Sequence, residues 1–254
     1  PGAAPAADVA HALTTAAYGD LDALRAFAAS VDVLTFEFEN IPAAALKLLA
    51  ANTPLFPPRQ ALEISQDRLT EKAFLRDLGL QTAPFADVSS PDDLAAALAI
   101  TGTPAILKTR RMGYDGKGQV KIMTPDQAQD ALASMAGLPA ILEGFVAFER
   151  EISVIAARGQ DGAIACFDPG ENVHKDGILA TTTVPARLPP SLRSDAALLA
   201  ARILNALDYV GVLGVELFVT PGALIVNEIA PRVHNSGHWT QGGCAIDQFE
   251  QHIR

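Results

Sequence analysis

The chain has 254 residues, 49% of them hydrophobic and 19% charged, with a formal net charge of −10 and a pI near 4.9. That balance describes a folded globular chain with room for one large or two smaller cores, not a disordered one. It argues against a general nucleic-acid surface, which needs a basic face, and no run of about 18 apolar residues offers a transmembrane helix. Cys166 and Cys244 lie far apart, outside any metal-binding spacing, and fit a reducing compartment with both thiols buried. The alanine-rich start carries Asp8 and His11 and no basic leader, so a secretory signal is not expected. With no initiator Met, and an end at Arg254 in apparent mid-helix, the reading expects natural residues beyond both ends.

Residues 21–29 have helical spacing and feed residues 31–36, whose β-branched and aromatic content predicts a strand. That strand ends in Glu37-Phe-Glu-Asn40. Ligands of α/β sheets gather at the carboxyl ends of strands, so Glu37, Glu39 and Asn40 are either site residues or solvated loop groups. Pro42 opens a predicted helix over 43–51, and the proline-rich residues 53–58 mark a boundary. A helix runs from an Asp67 N-cap to Leu78, stopped by Gly79, with Leu69, Ala73 and Leu75 facing inward. Arg68 in its first turn can reach a phosphate or pair with a carboxylate. Another helix covers 91–98, entered with acids that suit its dipole.

The stretch Lys108-Thr-Arg-Arg-Met-Gly-Tyr-Asp-Gly-Lys-Gly-Gln119 lies between predicted strands at 104–107 and 119–123. Gly113, Gly116 and Gly118 let backbone N–H groups approach an anion, and Lys108, Arg110, Arg111 and Lys117 can neutralise it. The plain reading is a phosphate-binding hairpin loop. A helix over 125–135 and a strand over 140–143 follow. The linker 143–151 is suited to receive a flat heterocycle, with backbone groups reading its edge and Phe145 and Val146 covering its face. Glu151 begins the next strand (152–157) and can accept from ribose hydroxyls. After a strand at 163–167, residues 168–177 read as a polar loop whose His174 is more often solvent-exposed than functional. A strand at 178–184 and an amphipathic helix at 191–207 come next.

Residues 211–219 and 223–229 read as a strand hairpin with one acid in each apolar run, Glu216 and Glu228. Burying two facing carboxylates is costly unless each finds an arginine or both share a cation. Hard oxygen ligands suit Mg²⁺ bound with nucleotide phosphates, and Asn227 adds a neutral oxygen. A two-residue turn at Pro221-Gly222 would put the glutamates on opposite faces, so a three-residue loop is expected, setting Glu216 across from Glu228. The tail that follows offers Arg232, His234, Asn235 and Ser236 as donors beside that cation, the arrangement a transferring phosphoryl group requires.

Taken together, residues 108–119, the run Asn227-Glu-Ile-Ala-Pro-Arg-Val-His-Asn-Ser-Gly-His-Trp-Thr-Gln241 and Phe36-Glu-Phe-Glu-Asn40 resemble the ATP-grasp enzymes. Within them they are most similar to the N5-carboxyaminoimidazole ribonucleotide synthetases of purine biosynthesis. The resemblance runs from the Glu37 segment to Gln251. It implies α/β and α+β architecture: part of a Rossmann-like domain over 1–58, then an ATP-grasp domain over 59–254. Lobe A covers about 59–142 and lobe B about 143–254, without the family's C-terminal lobe. It implies that Arg68, Lys108 and the loop Gly113, Tyr114, Asp115, Gly116, Lys117, Gly118 and Gln119 contact ATP phosphates. Glu143, Gly144, Phe145 and Val146 would hold adenine, Glu151 the ribose and His174 a further nucleotide contact. Glu216 and Glu228 would bind Mg²⁺ with Asn227 beside them. Arg232, His234 and Asn235 would act on bicarbonate, with Asp115 also catalytic, and Glu39, Tyr114 and Asp115 would face the 5-aminoimidazole ribonucleotide. The implied enzyme is a cytoplasmic homodimer that carboxylates that nucleotide through carboxyphosphate, with no nucleic-acid or membrane partner. Another ATP-grasp ligase or formyltransferase of purine metabolism, or a non-catalytic nucleotide-binding module, is the alternative.

Overall fold

The computed structural model describes residues 5–113 and 117–254. After a 3-10 turn at Pro5–Asp8, helix α1 (Leu21–Ala29) begins at Asp20, whose carboxylate accepts from Ala23 N at 3.0 Å. Residues 31–36 do not form the predicted strand. Leu34 bridges Leu55 in parallel, through Leu34 N to Pro54 O (2.8 Å) and Phe56 N to Leu34 O (2.9 Å). No other described segment pairs with it. The alternation still decides burial, since Leu34 and Phe36 are buried while Val31 and Val33 are exposed. They join Ala28 of α1, Leu46 and Leu49 of α2 (Ala43–Asn52) and Leu62 of α3 (Arg59–Ser65) in a first small core. Helix α3 was not predicted: Pro58, read as part of a boundary, is its N-cap residue.

Helix α4 (Arg68–Asp77) has the expected cap. Asp67 Oδ1 accepts from Leu69 N at 3.0 Å and Thr70 N at 3.3 Å, and Gly79 takes the positive φ (70°) that stops it. Its interior differs from expectation. Leu75 is buried, but beside it are Glu71 and Lys72 rather than Leu69 and Ala73, which stay half-buried.

A four-stranded antiparallel sheet follows, in the order β1-β4-β2-β3, from β1 (Phe85–Val88), β2 (Ala105–Thr109), β3 (Gln119–Ile122) and β4 (Ala140–Gly144). Helices α5 (Pro91–Thr101) and α6 (Ala128–Ser134) cover it. Leu94, Leu107, Ile122 and Leu142 lie in the core between them, and β4, an inner strand, is buried at every residue.

The larger sheet runs β10-β9-β5-β7-β8, with β6 paired to β5. It comprises β5 (Arg150–Arg158), β6 (Ile164–Cys166), β7 (Gly170–Lys175), β8 (Ile178–Thr183), β9 (Gly211–Thr220) and β10 (Ala223–Ala230). Helix α7 (Pro190–Ala206) packs on it through Ala196, Ala200, Ile203 and Leu204, the spacing of one helical face. That core also takes Leu75 of α4, so the helix that begins beside the loop is seated on the large sheet. The short helices α8 (Thr240–Gly243) and α9 (Gln248–Ile253) end the chain.

Residues 168–177 are not a loop. Most of them form β7, joined to β8 by Asp176-Gly177, whose φ angles of 54° and 79° are those of the mirror-image turn that matches strand twist. Both cysteines are half-buried rather than buried. Among the described residues no helix is long and apolar enough to cross a membrane.

Candidate active site

The β9–β10 hairpin brings Glu216 directly across from Glu228, as expected, by a different route. The turn is the two-residue Pro221-Gly222, pairing Thr220 with Ala223, and by itself it would put the glutamates on opposite faces. A β-bulge between Val226 and Glu228 inserts Asn227 as an extra residue and restores the shared face. Burial and the facing charge of Glu228 push the Glu216 carboxyl up to about 7. Asn227 Nδ2 donates to Glu216 Oε2 at 3.4 Å, and His234 Nε2 lies 3.5 Å from Glu216 Oε1. Two facing carboxylates, with the proton affinity of Glu216 raised, are a donor set that a hard divalent cation would relieve. Among the described residues no group of three or more His, Cys, Asp or Glu is placed to hold a metal ion. A two-carboxylate set is what Mg²⁺ can use, since it takes one or two carboxylates and completes its shell with water and phosphate oxygens.

Beneath this pair lies a buried charge network that the sequence reading missed. Ile229 N donates to Glu71 Oε1 at 2.6 Å, and burial with the nearby Glu228 charge pushes the Glu71 carboxyl up to about 8. Lys72 Nζ donates to Asn227 O at 2.7 Å and lies 3.3 Å from Glu143 Oε2, which Lys108 Nζ shares at 3.0 Å. Burial alone would raise the Glu143 carboxyl, but Lys72 and Lys108 outweigh it and hold the group below its usual range. Glu143 Oε1 is buried without a hydrogen-bond partner, an acceptor that a ligand N–H would satisfy. The missed signal was spacing: Glu71 and Lys72 precede the inward-facing Leu75 by four and three residues, on its helix face.

Lys108, one residue before the end of β2, pairs with Gln119 at the start of β3, so the glycine-rich stretch joins a hairpin as predicted. Tyr114, Asp115 and Gly116 fall outside the described residues. Arg68 N donates to Arg110 O at 2.9 Å, and Arg68 Nη2 lies 3.1 Å from where a Cβ on Gly113 would sit, so Arg68 lies against the loop. Gly118 has φ 69°, and a Cβ there would come within 2.6 Å of Thr109 Oγ1. Lys117 and Gln119 are exposed. Arg110 and Arg111, read in the sequence as cations for a bound anion, are paired here with carboxylates of the chain. Arg110 forks onto Asp67 (2.8 and 3.1 Å) and reaches Asp87 (3.4 Å), while Arg111 meets Asp67 at 3.3 Å. Asp67 thus caps α4 and anchors the loop. Asp67→Ala is expected to cost about 1–3 kcal/mol of stability, checked by urea unfolding, and Asp67→Asn less, because it keeps the cap.

After β4, Gly144 N donates to Pro84 O (2.8 Å) and Phe145 N to Pro104 O (3.0 Å). Phe145 is exposed and Val146 half-buried, leaving the linker open as an aromatic-edged seat. An aromatic pair was missed: Phe148 stacks on Phe218 of β9 with ring centroids 4.6 Å apart. Glu151 and His174 sit on the adjacent strands β5 and β7, and Glu151 Oε2 hydrogen-bonds His174 Nδ1. His174 is therefore engaged rather than simply solvated, and the Glu151 carboxylate raises its pKa. The pair stabilises the fold fully below the ordinary histidine pKa and loses that effect as pH rises through the raised value. Glu151→Gln is expected to lower the thermal midpoint most below about pH 6, with the difference shrinking in alkali.

From the tail, Arg232 Nε pairs with Glu39 Oε1 at 2.9 Å, joining the N-terminal segment to the hairpin. Burial raises the Glu39 carboxyl against the opposing pull of Arg232. Glu37 is exposed, and Asn40, also exposed, lines a cavity of about 360 Å³ with Gln66, Arg111 and Met112. His234 is buried, and burial with the Arg232 charge pushes its imidazole down to about 4, so it is neutral at pH 7. Its Nδ1 meets Ser236 Oγ at 2.8 Å, leaving Nε2 toward Glu216. Gln248, unremarked in the sequence, grips the His234 backbone: its Oε1 accepts from His234 N (2.9 Å) and its Nε2 donates to His234 O (2.8 Å). Asn235 is exposed at the start of a 3-10 turn. Thus Glu39, Glu216, Glu228, Arg232 and His234 form one polar cluster, which the loop and the linker extend.

Residues 73–249 match the ATP-grasp domain family, and residues 1–66 match the ribonucleotide synthetase preATP-grasp domain family. The chain is 56% identical over 253 residues to an N5-carboxyaminoimidazole ribonucleotide synthase of Brucella melitensis, covering 98% of this chain and 70% of that protein. The crystal structure of an N5-carboxyaminoimidazole ribonucleotide synthetase from Thermus thermophilus superposes with a TM-score of 0.92 at 44% identity, covering 99% of this chain and 69% of that one. An Aspergillus clavatus N5-carboxyaminoimidazole synthase, solved with ADP and 5-aminoimidazole ribonucleotide, gives 0.90 at 30% identity, with 98% and 66% covered. The chain thus spans about two thirds of the length of such relatives. Sequence and fold agree over nearly all of it, and the chain belongs to the N5-carboxyaminoimidazole ribonucleotide synthase family of ATP-grasp ligases, which carboxylate 5-aminoimidazole ribonucleotide with ATP in purine biosynthesis.

Proposed function

We propose that the clustered residues carry the family's reaction in this chain, with Glu216 and Glu228 holding Mg²⁺ beside the ATP phosphates. The observation that carries this reading is the in-register pair of enclosed carboxylates, next to a lysine-bearing glycine loop and the Arg232–Glu39 pair. Lys108, Arg68 and residues 113–119 bind the phosphates. Glu143, with its unsatisfied Oε1, and residues 144–146 take adenine, while Glu151 and His174 meet the ribose side. Mg²⁺, when bound, neutralises charge on the phosphate oxygens.

Bicarbonate attacks the γ-phosphorus of ATP, forming the new O–P bond as the bond to ADP breaks, which gives carboxyphosphate. The exocyclic amine of 5-aminoimidazole ribonucleotide then takes the carboxyl group, directly or as released CO₂, with loss of phosphate and of the amine proton. Arg232 and neutral His234, with Asn235, orient bicarbonate and stabilise its charge. Glu39, with Tyr114 and Asp115, faces the aminoimidazole. Positioning and charge neutralisation supply the rate. The same reading carries a cytoplasmic homodimer acting on small molecules, with no nucleic-acid or membrane partner. Steady-state ADP release tests it: turnover should require both bicarbonate and 5-aminoimidazole ribonucleotide. Dependence on glycinamide ribonucleotide or formate instead would overturn it.

A further inference from the structure

The two peptide groups that flank Glu228 are both held by helix α4, through consecutive residues. Lys72 Nζ donates to Asn227 O at 2.7 Å, the carbonyl of the peptide leading into Glu228. Glu71 Oε1 accepts from Ile229 N at 2.6 Å, the amide of the peptide leading out of it. Both side chains are buried, at 3% and 2% exposure for Glu71 and Lys72. These contacts fall at the bulge, where the ladder steps from Val226–Leu217 to Glu228–Glu216 and leaves Asn227 without a cross-strand partner. A buried strand whose ladder is interrupted must satisfy its polar backbone groups from elsewhere. Without the bulge, the two-residue turn would oppose Glu216 to Asn227 and turn Glu228 to the other face.

We propose that Glu71 and Lys72 are positioning residues that hold the Asn227 bulge from α4 and so set Glu228 against Glu216. This rests on the reading in which those two glutamates take the metal. Lys72 also ties the bulge to the phosphate-loop strand, because its Nζ and that of Lys108 share Glu143 Oε2. The clamp therefore joins the carboxylate pair to the lysine at the mouth of the loop. It acts on the backbone around Glu228 and needs no contact with the metal.

The test measures Mn²⁺ binding in the presence of ADP by electron paramagnetic resonance, and amide exchange at Ile229 without metal. The proteins are the unsubstituted chain, Glu71→Leu, Glu71→Gln, Lys72→Met and Glu228→Gln. Glu71→Leu and Lys72→Met are expected to weaken Mn²⁺ binding about tenfold or more. Glu71→Leu should also speed exchange at Ile229, while Glu71→Gln, which keeps an acceptor, stays near the unsubstituted chain in both readouts. Should Lys72→Met fail to fold, the Leu and Gln variants of Glu71 carry the test. Equal Mn²⁺ affinity for those two would overturn the clamp, because only charge would then matter. A lowered thermal midpoint in Glu71→Leu with unchanged Mn²⁺ affinity would overturn it too. If Glu228→Gln itself leaves Mn²⁺ binding intact, the metal reading falls and the proposed positioning role falls with it, whatever Ile229 exchange reports.

Discussion

Glu228→Gln is expected to lower kcat for ADP release by at least about a hundred-fold, the scale seen when one preorganised charge-stabilising group is removed. The substitution is nearly isosteric, and it removes one of two facing like charges, so the fold should hold. Burial and the charge of Glu228 together push the Glu216 carboxyl up to about 7, so removing that charge lets Glu216 ionise more readily. The urea midpoint of the variant should therefore equal or exceed that of the unsubstituted chain. Steady-state kinetics and unfolding on the same preparation check both parts. Near-normal turnover would remove Glu228 from the metal site.

The second large effect falls on the acceptor side. Arg232→Ala is expected to lower kcat by about 10²–10³ while the KM for ATP changes little, because Arg232 faces Glu39 and His234 and not the nucleotide seat. Arg232→Lys should restore only part of the rate, since an ammonium cannot reproduce the fork of a guanidinium. The variant also strips Glu39 of its 2.9 Å partner, leaving an enclosed carboxyl to be satisfied by water or protonation. A loss confined to ATP binding, with unchanged turnover at saturation, would contradict this assignment.

Local chemistry made much of the fold legible in the sequence. Asp67 and Gly79 bracket α4, apolar spacing defines α7, and the lysine and glycine stretch forms the β2–β3 hairpin. The misses were of other kinds. Residues 31–36 have strand composition but one bridged neighbour, and pairing is a tertiary property that composition does not carry. Residues 168–177 look polar, yet Asp176-Gly177 was a hairpin signal that went unused. The opposition of Glu216 and Glu228 was expected for a chemical reason, while its structural cause, a bulge at Asn227, has no local sequence mark. Arg110 and Arg111 illustrate the limit for site residues: four cations in one loop suggest one anion, and only the fold assigns two of them to Asp67. Glu71 and Lys72 were hidden because charged residues in a helix read as its solvent face.

The central claim is that the paired glutamates hold a divalent cation together with a nucleotide. Calorimetric titration of ADP, with Mg²⁺ and with excess EDTA, tests it most directly. The prediction is one ADP per chain, bound about tenfold or more tightly with Mg²⁺, with that difference lost in Glu228→Gln. Equal affinity in the two conditions, or a metal effect that survives in Glu228→Gln, would contradict it.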